Sequence, residues 1–476
     1  MAEITALRLF IEGAWEDGES VSVKTDTWSG QHAADIHVAS RDQVARATRG
    51  VAAGQERITL SPHERAMMLR RAGDLLIERK AAFTEAIITD TGFTTGDATR
   101  EAERAVETLY LSAEESKRLH GEVVPMASDP SNPKRMAFTI LRPVGVVCAI
   151  TPFNSPLNTV LHKIAPALAA GNGAVLKPAM QTPVTANLLF ELLLDAGVPP
   201  QLLALVHGSG RTVGQWLLED PVPAFYAFTG STGVGEVIQR TIGVRRSQLE
   251  LGSLASTIVC ADADLQRAAT LAVNAAFRKA GQVCTSVQRL YVHASVVDEF
   301  TERLVSIARD KSAGDPREAT SFLGPLIDLA AAERVDSWIR SAADQGASVH
   351  LGGTRRGALI DPTILSDVPL DASVMCREVF GPVVSICSFA DLDHAIDEAN
   401  ATPYGLAAGI FTESIHTALS AAPKLRMGTV HVNETSSARV DLMPFGGVKM
   451  SGHGKEGPAY AAREMSEETL ITLGVS

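Results

Sequence analysis

The sequence predicts an α/β protein made of two doubly wound domains, and two observations support this. Short apolar runs alternate with helical segments from about residue 140 to 250, and the same style returns from 258 to 431. Such alternation is typical of parallel sheets that carry helices on both faces. The chain has 476 residues, which is too long for one hydrophobic core. We therefore expect two domains that meet near residues 251–252.

Two helical segments precede the first alternating stretch. Ser61 is a helix-capping residue, Pro62 suits the first helical turn, and Glu64 follows within that turn. A long amphipathic helix is expected from there to residue 90, where a Thr-Gly pair breaks the pattern. A further helix is expected over residues 97–119.

The first alternating stretch consists of strands and the helices between them. Its apolar runs predict buried strands at residues 144–150, 174–177, 203–206 and 225–229. The intervening segments predict helices at residues 155–170, 183–196, 212–218 and 233–243. Two extended segments, 135–141 and the tail from 465 to 475, are predicted outside the two domains.

Composition and charge exclude several classes of protein. The formal net charge is −12 and the pI is about 5.5, whereas a nucleic-acid partner requires a basic face. No apolar run approaches the roughly 18 residues of a membrane-spanning helix, and the N-terminus lacks a signal-peptide pattern. The five cysteines show neither paired spacing nor metal-ligand spacing. We expect a cytoplasmic protein without a metal site and without nucleic-acid or membrane partners.

Cys284 is the strongest candidate for a reactive group. It lies in the loop sequence Gly-Gln-Val-Cys-Thr, among polar residues, after a helix predicted from 265 to 280. Loops are where reactive side chains are usually presented. Three other cysteines lie in apolar runs and are interpreted as buried small hydrophobic residues: Cys148, Cys260 and Cys387.

Glu250 is the candidate base. It lies between two leucines, where an unpaired charge would cost free energy without a purpose, although a solvated strand-end carboxylate is the plain alternative. A thiol and a carboxylate are the groups needed to take a carbonyl through a covalent thioester and then hydrolyse it. The same two groups would also serve a cysteine-dependent esterase or acyltransferase. That enzyme class performs no redox chemistry, and it stays open as an alternative.

Four other features are ambiguous on local chemistry alone. Asn154, in Thr-Pro-Phe-Asn-Ser-Pro, is typical of a turn residue between prolines. Residues 228–235, Phe-Thr-Gly-Ser-Thr-Gly-Val-Gly, form either a plain strand-to-helix turn or a pyrophosphate site at a helix N-terminus. Lys177 and Glu378 lie at predicted strand ends, where exposed charged residues are common.

Taken together, these motifs resemble the aldehyde dehydrogenase superfamily over nearly the whole chain. They occur in the order that the family has, and the sequence Pro-Phe-Gly-Gly-Val-Lys at 444–449 adds a further match. Polar residues near Asn154 resemble the branch that contains lactaldehyde, succinic-semialdehyde and phosphonoacetaldehyde dehydrogenases. The resemblance implies oxidation of an aldehyde to a free carboxylic acid, with NAD or NADP as the cofactor.

The resemblance also implies a domain plan and an oligomer. It places a Rossmann-like cofactor-binding domain at residues 1–118 and 140–250 and a Rossmann-like catalytic domain at 251–450. Residues 119–139 and 451–476 would form a small β oligomerisation arm. A homodimer or homotetramer is therefore expected.

Catalytic roles follow from the residues that occupy the family's motif positions. Cys284 would attack the aldehyde, while the Asn154 amide and the Cys284 N–H would stabilise the oxyanion. Glu250 would activate water for hydrolysis, and acylating relatives that use coenzyme A commonly lack this base. Lys163 and Glu456 match positions on a proton path from the base.

Cofactor residues carry over in the same way. Met180 replaces the glutamate with which NAD-preferring relatives often repel a 2′-phosphate, so the choice between NAD and NADP stays open. Lys177 would reach the adenosine ribose or its phosphate, and Glu378 would hold the nicotinamide ribose. The full set of implied cofactor residues is Phe153, Lys177, Met180, Gly230, Ser231, Gly233, Glu378 and Phe380.

Substrate residues are those expected around the aldehyde tunnel. Ser155 and His162 are polar where many relatives carry aromatic residues, and Arg104 and Arg439 supply cations. Arginine suits a carboxylate or phosphate, so a small polar or anionic aldehyde is expected. Val283 stands where phosphonate-type relatives carry arginine, which argues against a phosphonate. The implied set is Ser155, His162, Arg104, Arg439 and Phe445.

Overall fold

The computed structural model describes residues 5–131 and 134–474. Residues 1–4, at the start of the predicted cofactor-binding domain, lie outside the described residues, as do residues 132–133 and 475–476 of the predicted arm. None of the helices in the described ranges is both long and apolar enough to cross a bilayer. The α-helices are α1 Arg41–Arg57, α2 Pro62–Glu78, α3 Lys80–Thr91, α4 Thr95–Arg118, α5 Asn158–Ala169, α6 Pro183–Asp195, α7 Gln215–Glu219, α8 Thr232–Ile242, α9 Leu265–Phe277, α10 Val297–Arg309, α11 Leu329–Asp344, α12 Ser373–Cys376, α13 Leu392–Asn400, α14 Ile415–Ala421 and α15 Pro458–Glu464. The strands are β1 Thr5–Leu7, β2 Leu9–Ile11, β3 Ala14–Glu16, β4 Ser20–Thr25, β5 His32–Val38, β6 Val123–Val124, β7 Arg135–Pro143, β8 Val147–Ile150, β9 Ala174–Lys177, β10 Leu203–Leu205, β11 Phe225–Thr229, β12 Arg246–Glu250, β13 Ser256–Val259, β14 Arg289–His293, β15 Ser348–Leu351, β16 Arg355–Arg356, β17 Leu359–Ile360, β18 Thr363–Ser366, β19 Val383–Phe389, β20 Ala407–Phe411, β21 Thr429–Val432, β22 Gly452–His453 and β23 Ser466–Gly474.

The first large sheet has eight strands in the order β22-β12-β11-β8-β9-β10-β2-β3. The five central strands run parallel, and the edge strands β22, β2 and β3 pair antiparallel. In the register of this sheet Thr229 pairs with Glu250, and Ile150 pairs with Lys177. The carboxyl ends of these strands therefore share one edge, which is where open α/β sheets bind ligands.

The second large sheet has seven strands in the order β15-β18-β19-β14-β13-β20-β21, and its pairs are parallel except that of β15 with β18. Cys284 precedes β14 and Glu378 precedes β19, so both lie at the amino edge of this sheet. Between the sheets, Ser253 donates its N–H to Glu378 (3.1 Å). The carboxyl edge of the first sheet thus meets the amino edge of the second at one junction.

The helix α5 lies entirely within the core of the first sheet. Its apolar face packs with α2, α4 and α6 in a cluster that includes Phe83, Phe93 and Phe190. All twelve residues of α5 are buried, including His162 and Lys163. Polar side chains at such positions need partners inside the protein.

A third sheet joins β23, β7 and β6. β23 pairs antiparallel with β7, from Ser466 opposite Pro143 to Gly474 opposite Arg135. The residues before β23 pack elsewhere, because β22 pairs with β12 in the first sheet and α15 contacts α5. The division into a cofactor-binding domain, a catalytic domain and an oligomerisation arm stays a prediction.

The predicted strands of the first sheet are confirmed. β9 and β11 match the predicted ranges residue for residue, β8 begins three residues later, and β10 ends one residue earlier. The predicted cap at Ser61 is also present, as a capping box with Glu64. Short apolar runs between turn signals were therefore a reliable sign of buried parallel strands in this region.

Two predicted helix boundaries are wrong. The helix expected from residue 62 to 90 is two helices, because Arg79 leaves the helical region between α2 and α3 (φ −99°, ψ 13°). The helix expected from 265 to 280 ends at Phe277, and Lys279 and Ala280 adopt left-handed φ values of 51° and 53°. This conformation is unfavourable for residues with a Cβ atom, and it turns the chain into the loop that holds Cys284.

Candidate active site

Cys284 contacts Glu250 at the junction of the two large sheets. The Cys284 thiol and the Glu250 carboxylate lie within interaction distance, and each acts on the pKa of the other. The loop that carries Cys284 packs closely on the loop that carries Glu378, because a Cβ atom on Gly281 would lie 2.1 Å from the Gly381 oxygen. Glycine is therefore required at 281, and its φ of 69° favours glycine as well.

Burial controls the ionisation of both of these groups. Burial, together with the negative charge of Glu456, raises the pKa of Glu250 to about 7. Burial and the Glu250 charge raise the pKa of the Cys284 thiol well above its usual value. Glu250 is 4% exposed, and its Oε1 atom has no hydrogen-bond partner among the described residues. A neutral thiol and a base with a near-neutral pKa can exchange a proton at this contact.

Asn154 is fixed to the cysteine loop by two hydrogen bonds. Its side-chain amide donates to the Gln282 carbonyl (2.9 Å), and its own carbonyl accepts from the Lys279 ammonium (2.9 Å). Lys279 also pairs with Glu101 (2.6 Å), whose other oxygen accepts from the Leu157 N–H (3.0 Å). Sequence analysis missed Glu101 and Lys279, since nothing in the sequence indicates that residues so far apart form an ion pair.

A buried cluster of charges lies within electrostatic reach of Glu250. Lys163 donates to one oxygen of Glu456 (2.7 Å) and to Thr229 Oγ1 (2.7 Å). Arg439 donates to the other oxygen of Glu456 (2.8 Å). Burial opposes ionisation of Glu456, yet the charges of Lys163 and Arg439 hold its pKa well below the usual range. The two residues predicted on the proton path are in direct contact, and Arg439 shares that contact.

His162 and Arg104 meet at Asp441, a residue to which sequence analysis gave no role. His162 Nε2 lies 2.9 Å from Asp441 Oδ1, and Arg104 donates to both carboxylate oxygens (2.7 and 3.1 Å). Asn158 donates to the same carboxylate (2.9 Å). Burial opposes ionisation, yet the contacts with His162 and Arg104 hold the pKa of Asp441 well below its usual range. Asp441 is therefore ionised and offsets the charge of Arg104.

Phe445 and Ser155 lie beside these groups. Phe445 is buried, and the Arg439 guanidinium lies 3.8 Å from the centre of its ring. The Phe445 backbone exchanges two hydrogen bonds with Glu456, so it supports the same contact. Ser155 is half-buried, and its carbonyl accepts from the Thr159 N–H in the first turn of α5 (3.2 Å). Phe445 therefore packs against Arg439, whereas Ser155 lies next to Asn154.

The adenosine-side cofactor residues lie along the carboxyl edge of the first sheet. Lys177 ends β9 and is buried, which lowers its pKa to about 8. Met180 follows it and packs against the small apolar cluster of the N-terminal strands. Ser231 precedes α8, and its hydroxyl forms no capping hydrogen bond, so it is free to bind an anion. Gly230 and Gly233 flank Ser231, and a Cβ atom on Gly233 would meet nothing within 4 Å.

The nicotinamide-side cofactor residues lie at the junction with the second sheet. Burial raises the pKa of Glu378 to about 7. The rings of Phe153 and Phe380 meet edge to face, with their centres 5.8 Å apart. Cys284, Glu378 and Phe380 line one narrow cavity. An uncapped helix N-terminus, a buried lysine and a buried carboxylate along one sheet edge fit the phosphates and ribose hydroxyls of a dinucleotide.

Arg278 is a cation that sequence analysis missed. It donates to Ser437 Oγ (2.8 Å), which lies 3.3 Å from Oγ1 of Thr285, the residue that follows Cys284. Burial lowers the pKa of Arg278, and no carboxylate forms an ion pair with it within residues 5–131 and 134–474. Arg278 also lines a cavity of about 370 Å³ together with Arg100. Its position six residues before Cys284 was a usable signal, but the helix prediction had placed it inside α9.

Comparison with known proteins identifies the family. Residues 15–471 match the model of the aldehyde dehydrogenase family. The chain belongs to that family. A 3-sulfolactaldehyde dehydrogenase of Priestia aryabhattai is 45% identical over 477 aligned residues, which cover 100% of this chain and 99% of that protein. A lactaldehyde dehydrogenase of Methanococcus maripaludis is 34% identical, with 98% of this chain and 99% of that protein covered.

A solved structure supports the same conclusion. The crystal structure of NADP-dependent glyceraldehyde-3-phosphate dehydrogenase from Bacillus halodurans, complexed with NADP, matches with a TM-score of 0.96 at 33% identity and covers 100% of both chains. The α/β fold class, the enzyme class and the use of NAD or NADP that the motifs implied are confirmed. This aldehyde dehydrogenase thus performs redox chemistry, which the alternative of a plain esterase did not include.

Proposed function

We propose that this aldehyde dehydrogenase oxidises a small polar or anionic aldehyde to its free acid, with Cys284 as the nucleophile and Glu250 as the base. The observation that carries the proposal is the contact between these two side chains, at which the Oε1 atom of Glu250 is buried and unpaired among the described residues. An unpaired buried oxygen costs free energy, so it suits a bound water molecule. A base that holds water next to a thioester favours hydrolysis.

Acylation begins when Glu250 accepts the thiol proton and the Cys284 sulfur attacks the aldehyde carbon. The side-chain amide of Asn154 and the N–H of Cys284 donate to the oxyanion that forms. When bound, the nicotinamide supplies the acceptor for the hydride that leaves this carbon, and a Cys284 thioester remains. Gln282 and Lys279 hold Asn154 in position for this step.

Hydrolysis requires Glu250 to lose its proton first. Lys163 and Glu456 form the buried ion pair near Glu250, and we assign to this pair the field that governs the proton transfer. Ionised Glu250 then removes a proton from water, and the water oxygen attacks the thioester carbon. The carbon–sulfur bond breaks, the acid leaves, and the Cys284 thiolate takes up a proton.

Arg278 is the residue that we assign to an anionic group of the substrate. Arg104 is paired with Asp441 and Arg439 with Glu456, whereas Arg278 binds a hydroxyl and forms no ion pair in the described parts of the chain. A half-buried guanidinium that forms no ion pair suits a sulfonate, phosphate or carboxylate. The relatives that act on 3-sulfolactaldehyde and glyceraldehyde 3-phosphate support an anionic substrate.

NADP as well as NAD is proposed to serve as the cofactor. The Lys177 ammonium donates to the Pro178 carbonyl (3.0 Å) and, in the described residues, pairs with no carboxylate, so its charge is available to a phosphate. Met180 carries no charge that would repel a 2′-phosphate. The NADP complex of the Bacillus halodurans relative supports this assignment.

Association as a homodimer or homotetramer completes the proposal, together with a cytoplasmic location. The strands of the third sheet expose apolar side chains at Met136 (55%), Leu470 (54%) and Leu473 (46%). Exposed apolar strands are usually covered by a partner. The five cysteines are free, which favours a reducing compartment.

The test is formation of reduced nicotinamide from NAD or NADP with neutral, carboxylated, sulfonated and phosphorylated aldehydes. Cys284→Ala should abolish turnover, while the control Cys376→Ala, at an exposed cysteine, should retain it. Arg278→Met should raise KM for anionic aldehydes by about tenfold to a hundredfold, and for neutral aldehydes much less. Turnover by the Cys284→Ala enzyme, or an equal effect of Arg278→Met on both groups of aldehydes, would contradict these assignments.

A further inference from the structure

The buried polar atoms that have no hydrogen-bond partner among the described residues include three on side chains of the candidate site: Glu250 Oε1, His162 Nδ1 and Arg439 Nε. The hydrolytic water accounts for the first, but the chemistry of the aldehyde group uses neither of the other two. Unpaired buried polar atoms are rare in folded proteins, because each costs free energy comparable with a lost hydrogen bond. His162 Nδ1 and Arg439 Nε therefore indicate a second polar group on the ligand.

A closed ring of contacts holds His162 and Arg439 side by side. His162 binds Asp441 (2.9 Å), which lies two residues after Arg439 in the same loop. Arg439 binds Glu456 (2.8 Å), which also binds Lys163 (2.7 Å). Lys163 adjoins His162 on α5, which closes the ring. Because each side chain is held through another of its nitrogens, His162 Nε2 and Arg439 Nη2, the free nitrogens are restricted in position.

Arg439 connects this ring to the reaction centre. Burial opposes the charge of Arg439, yet Glu456 and then Cys284 raise its pKa, so its guanidinium lies within electrostatic reach of the nucleophile. The Arg439 side chain is 17% exposed, which leaves room for a small ligand to approach it. The ring of contacts that holds the two unpaired nitrogens thus lies near the Cys284 thiol.

The hydrogen-bonding capacity of the two nitrogens follows from their neighbours. Asp441 is ionised and can only accept, so His162 Nε2 carries the ring proton. Burial lowers the pKa of His162, and the neutral ring therefore leaves Nδ1 as an acceptor. Arg439 Nε carries a hydrogen and can only donate. One acceptor and one donor together match a hydroxyl group, which donates one hydrogen bond and accepts another.

We propose that His162 Nδ1 and Arg439 Nε bind the hydroxyl group on the carbon next to the aldehyde, so that the enzyme selects 2-hydroxyaldehydes. The substrate hydroxyl donates to His162 and accepts from Arg439. This inference rests on the proposed function, in which Cys284 attacks the aldehyde carbon and Arg278 binds the anionic end. It adds two residues, His162 and Arg439, that determine specificity at the carbon between the aldehyde group and the anionic end of the substrate.

The test separates the hydroxyl group from the charge by comparing matched aldehydes. Lactaldehyde and propanal are both neutral and differ by the hydroxyl, and 3-sulfolactaldehyde and 3-sulfopropanal are both anionic and differ in the same way. The quantity measured is the hydroxyl ratio, which is kcat/KM with the hydroxyl divided by kcat/KM without it. Because this ratio is compared between enzymes, the intrinsic reactivity of each aldehyde cancels.

Two variants should lower the hydroxyl ratio by about tenfold to a hundredfold in both pairs. His162→Leu removes the acceptor, and Arg439→Lys keeps the positive charge near Glu456 but removes the Nε–H. Arg278→Met is the matched control, because it should change the preference for anionic aldehydes and leave the hydroxyl ratio unchanged. Agreement between the two variants makes the result independent of how well either one folds.

Calorimetric binding of the product acids provides a readout without turnover. Lactate should bind the unmodified enzyme about tenfold more tightly than propionate, and His162→Leu should remove the difference. Equal binding of the two acids, or a hydroxyl ratio that neither variant changes, would overturn the inference. Retained preference for lactate in an enzyme that oxidises none of the aldehydes would support the hydroxyl site and contradict the proposed function.

Discussion

Glu250 and Glu456 are both buried carboxylates near the nucleophile, yet their surroundings act on them in opposite directions. Glu456 has a cation on each oxygen, Lys163 at 2.7 Å and Arg439 at 2.8 Å. Glu250 lies near the Cys284 thiol, and its Oε1 atom has no hydrogen-bond partner among the described residues. Against the effect of burial, the two cations hold the pKa of Glu456 well below its usual range, whereas burial and Glu456 raise that of Glu250 to about 7.

The difference between the two carboxylates shows that burial alone does not decide the role of an acidic residue. A carboxylate with a cation on both oxygens stays ionised and fixes the side chains around it. A carboxylate with an unpaired oxygen and a neighbouring negative charge can gain and lose a proton near neutral pH. Glu250 is therefore suited to proton transfer, and Glu456 is suited to setting the field in which that transfer occurs.

Replacing Glu250 by glutamine should have the largest effect. The amide cannot accept a proton from water, so steady turnover should fall by about 10²–10⁴-fold. Cys284 remains and can lose its proton to solvent instead of to Glu250, so one reduced nicotinamide should still form per active site, more slowly than normal, before the thioester accumulates. Rapid mixing should therefore show a burst without steady turnover. The control Glu103→Gln, in an exposed ion pair with Lys80, should retain both phases, and steady turnover within tenfold of normal in Glu250→Gln would refute the role of the base.

Replacing Lys163 by methionine tests the pairing of Glu456 and should mainly lower the free energy of unfolding. Glu456 loses a buried cationic partner, and such a loss typically costs about 3–5 kcal/mol. Urea unfolding of the cofactor-free protein measures the change. Lys80→Met breaks the exposed pair with Glu103 and should cost less than about 1 kcal/mol. Similar losses for the two lysines would show that the pairing of Glu456 contributes no more than a surface contact.

The place of several candidate site residues in the fold could be predicted, because their position in the sequence determines where they lie. Glu250 and Lys177 end parallel strands, and the carboxyl ends of parallel strands share an edge. Cys284 was found from its polar loop and its motif. The pairing of the charges could not be predicted, because Arg439 meets Glu456 and the other partners meet through packing between distant elements.

Arg278 shows how a local error hid part of the candidate site. The apolar pattern of α9 continues through residue 280, so sequence analysis predicted a helix there and gave Arg278 no role. In the structure Lys279 and Ala280 adopt left-handed backbone angles, which end the helix and bring Arg278 to Ser437. Propensity favours the right-handed helix for both residues, and only tertiary contacts, such as the Lys279 bond to Asn154, oppose it.

The raised pKa of Glu250 predicts the pH dependence of steady turnover. Hydrolysis needs the ionised base, so kcat should rise with pH through an apparent pKa of about 7 and level off above it. Below that value kcat should fall about tenfold per pH unit. The measurement is kcat at saturating substrate across this range, and the rising limb should be missing from the residual activity of Glu250→Gln. A limb near the usual carboxylate pKa of about 4 would show that Glu250 is not the titrating group.

Replacing Glu456 by glutamine should have the smallest effect and tests the link between the two carboxylates directly. After burial, the negative charge of Glu456 raises the pKa of Glu250, while Lys163 and Arg439 lower it. Glu456→Gln removes the negative charge and leaves both cations, so the rising limb of kcat should move to lower pH by up to about one unit. Arg439→Gln removes a cation and should move the limb in the opposite direction. Lost packing would lower kcat in both variants without moving the limb, so opposite shifts from neighbouring substitutions identify the electrostatic link between Glu456 and Glu250.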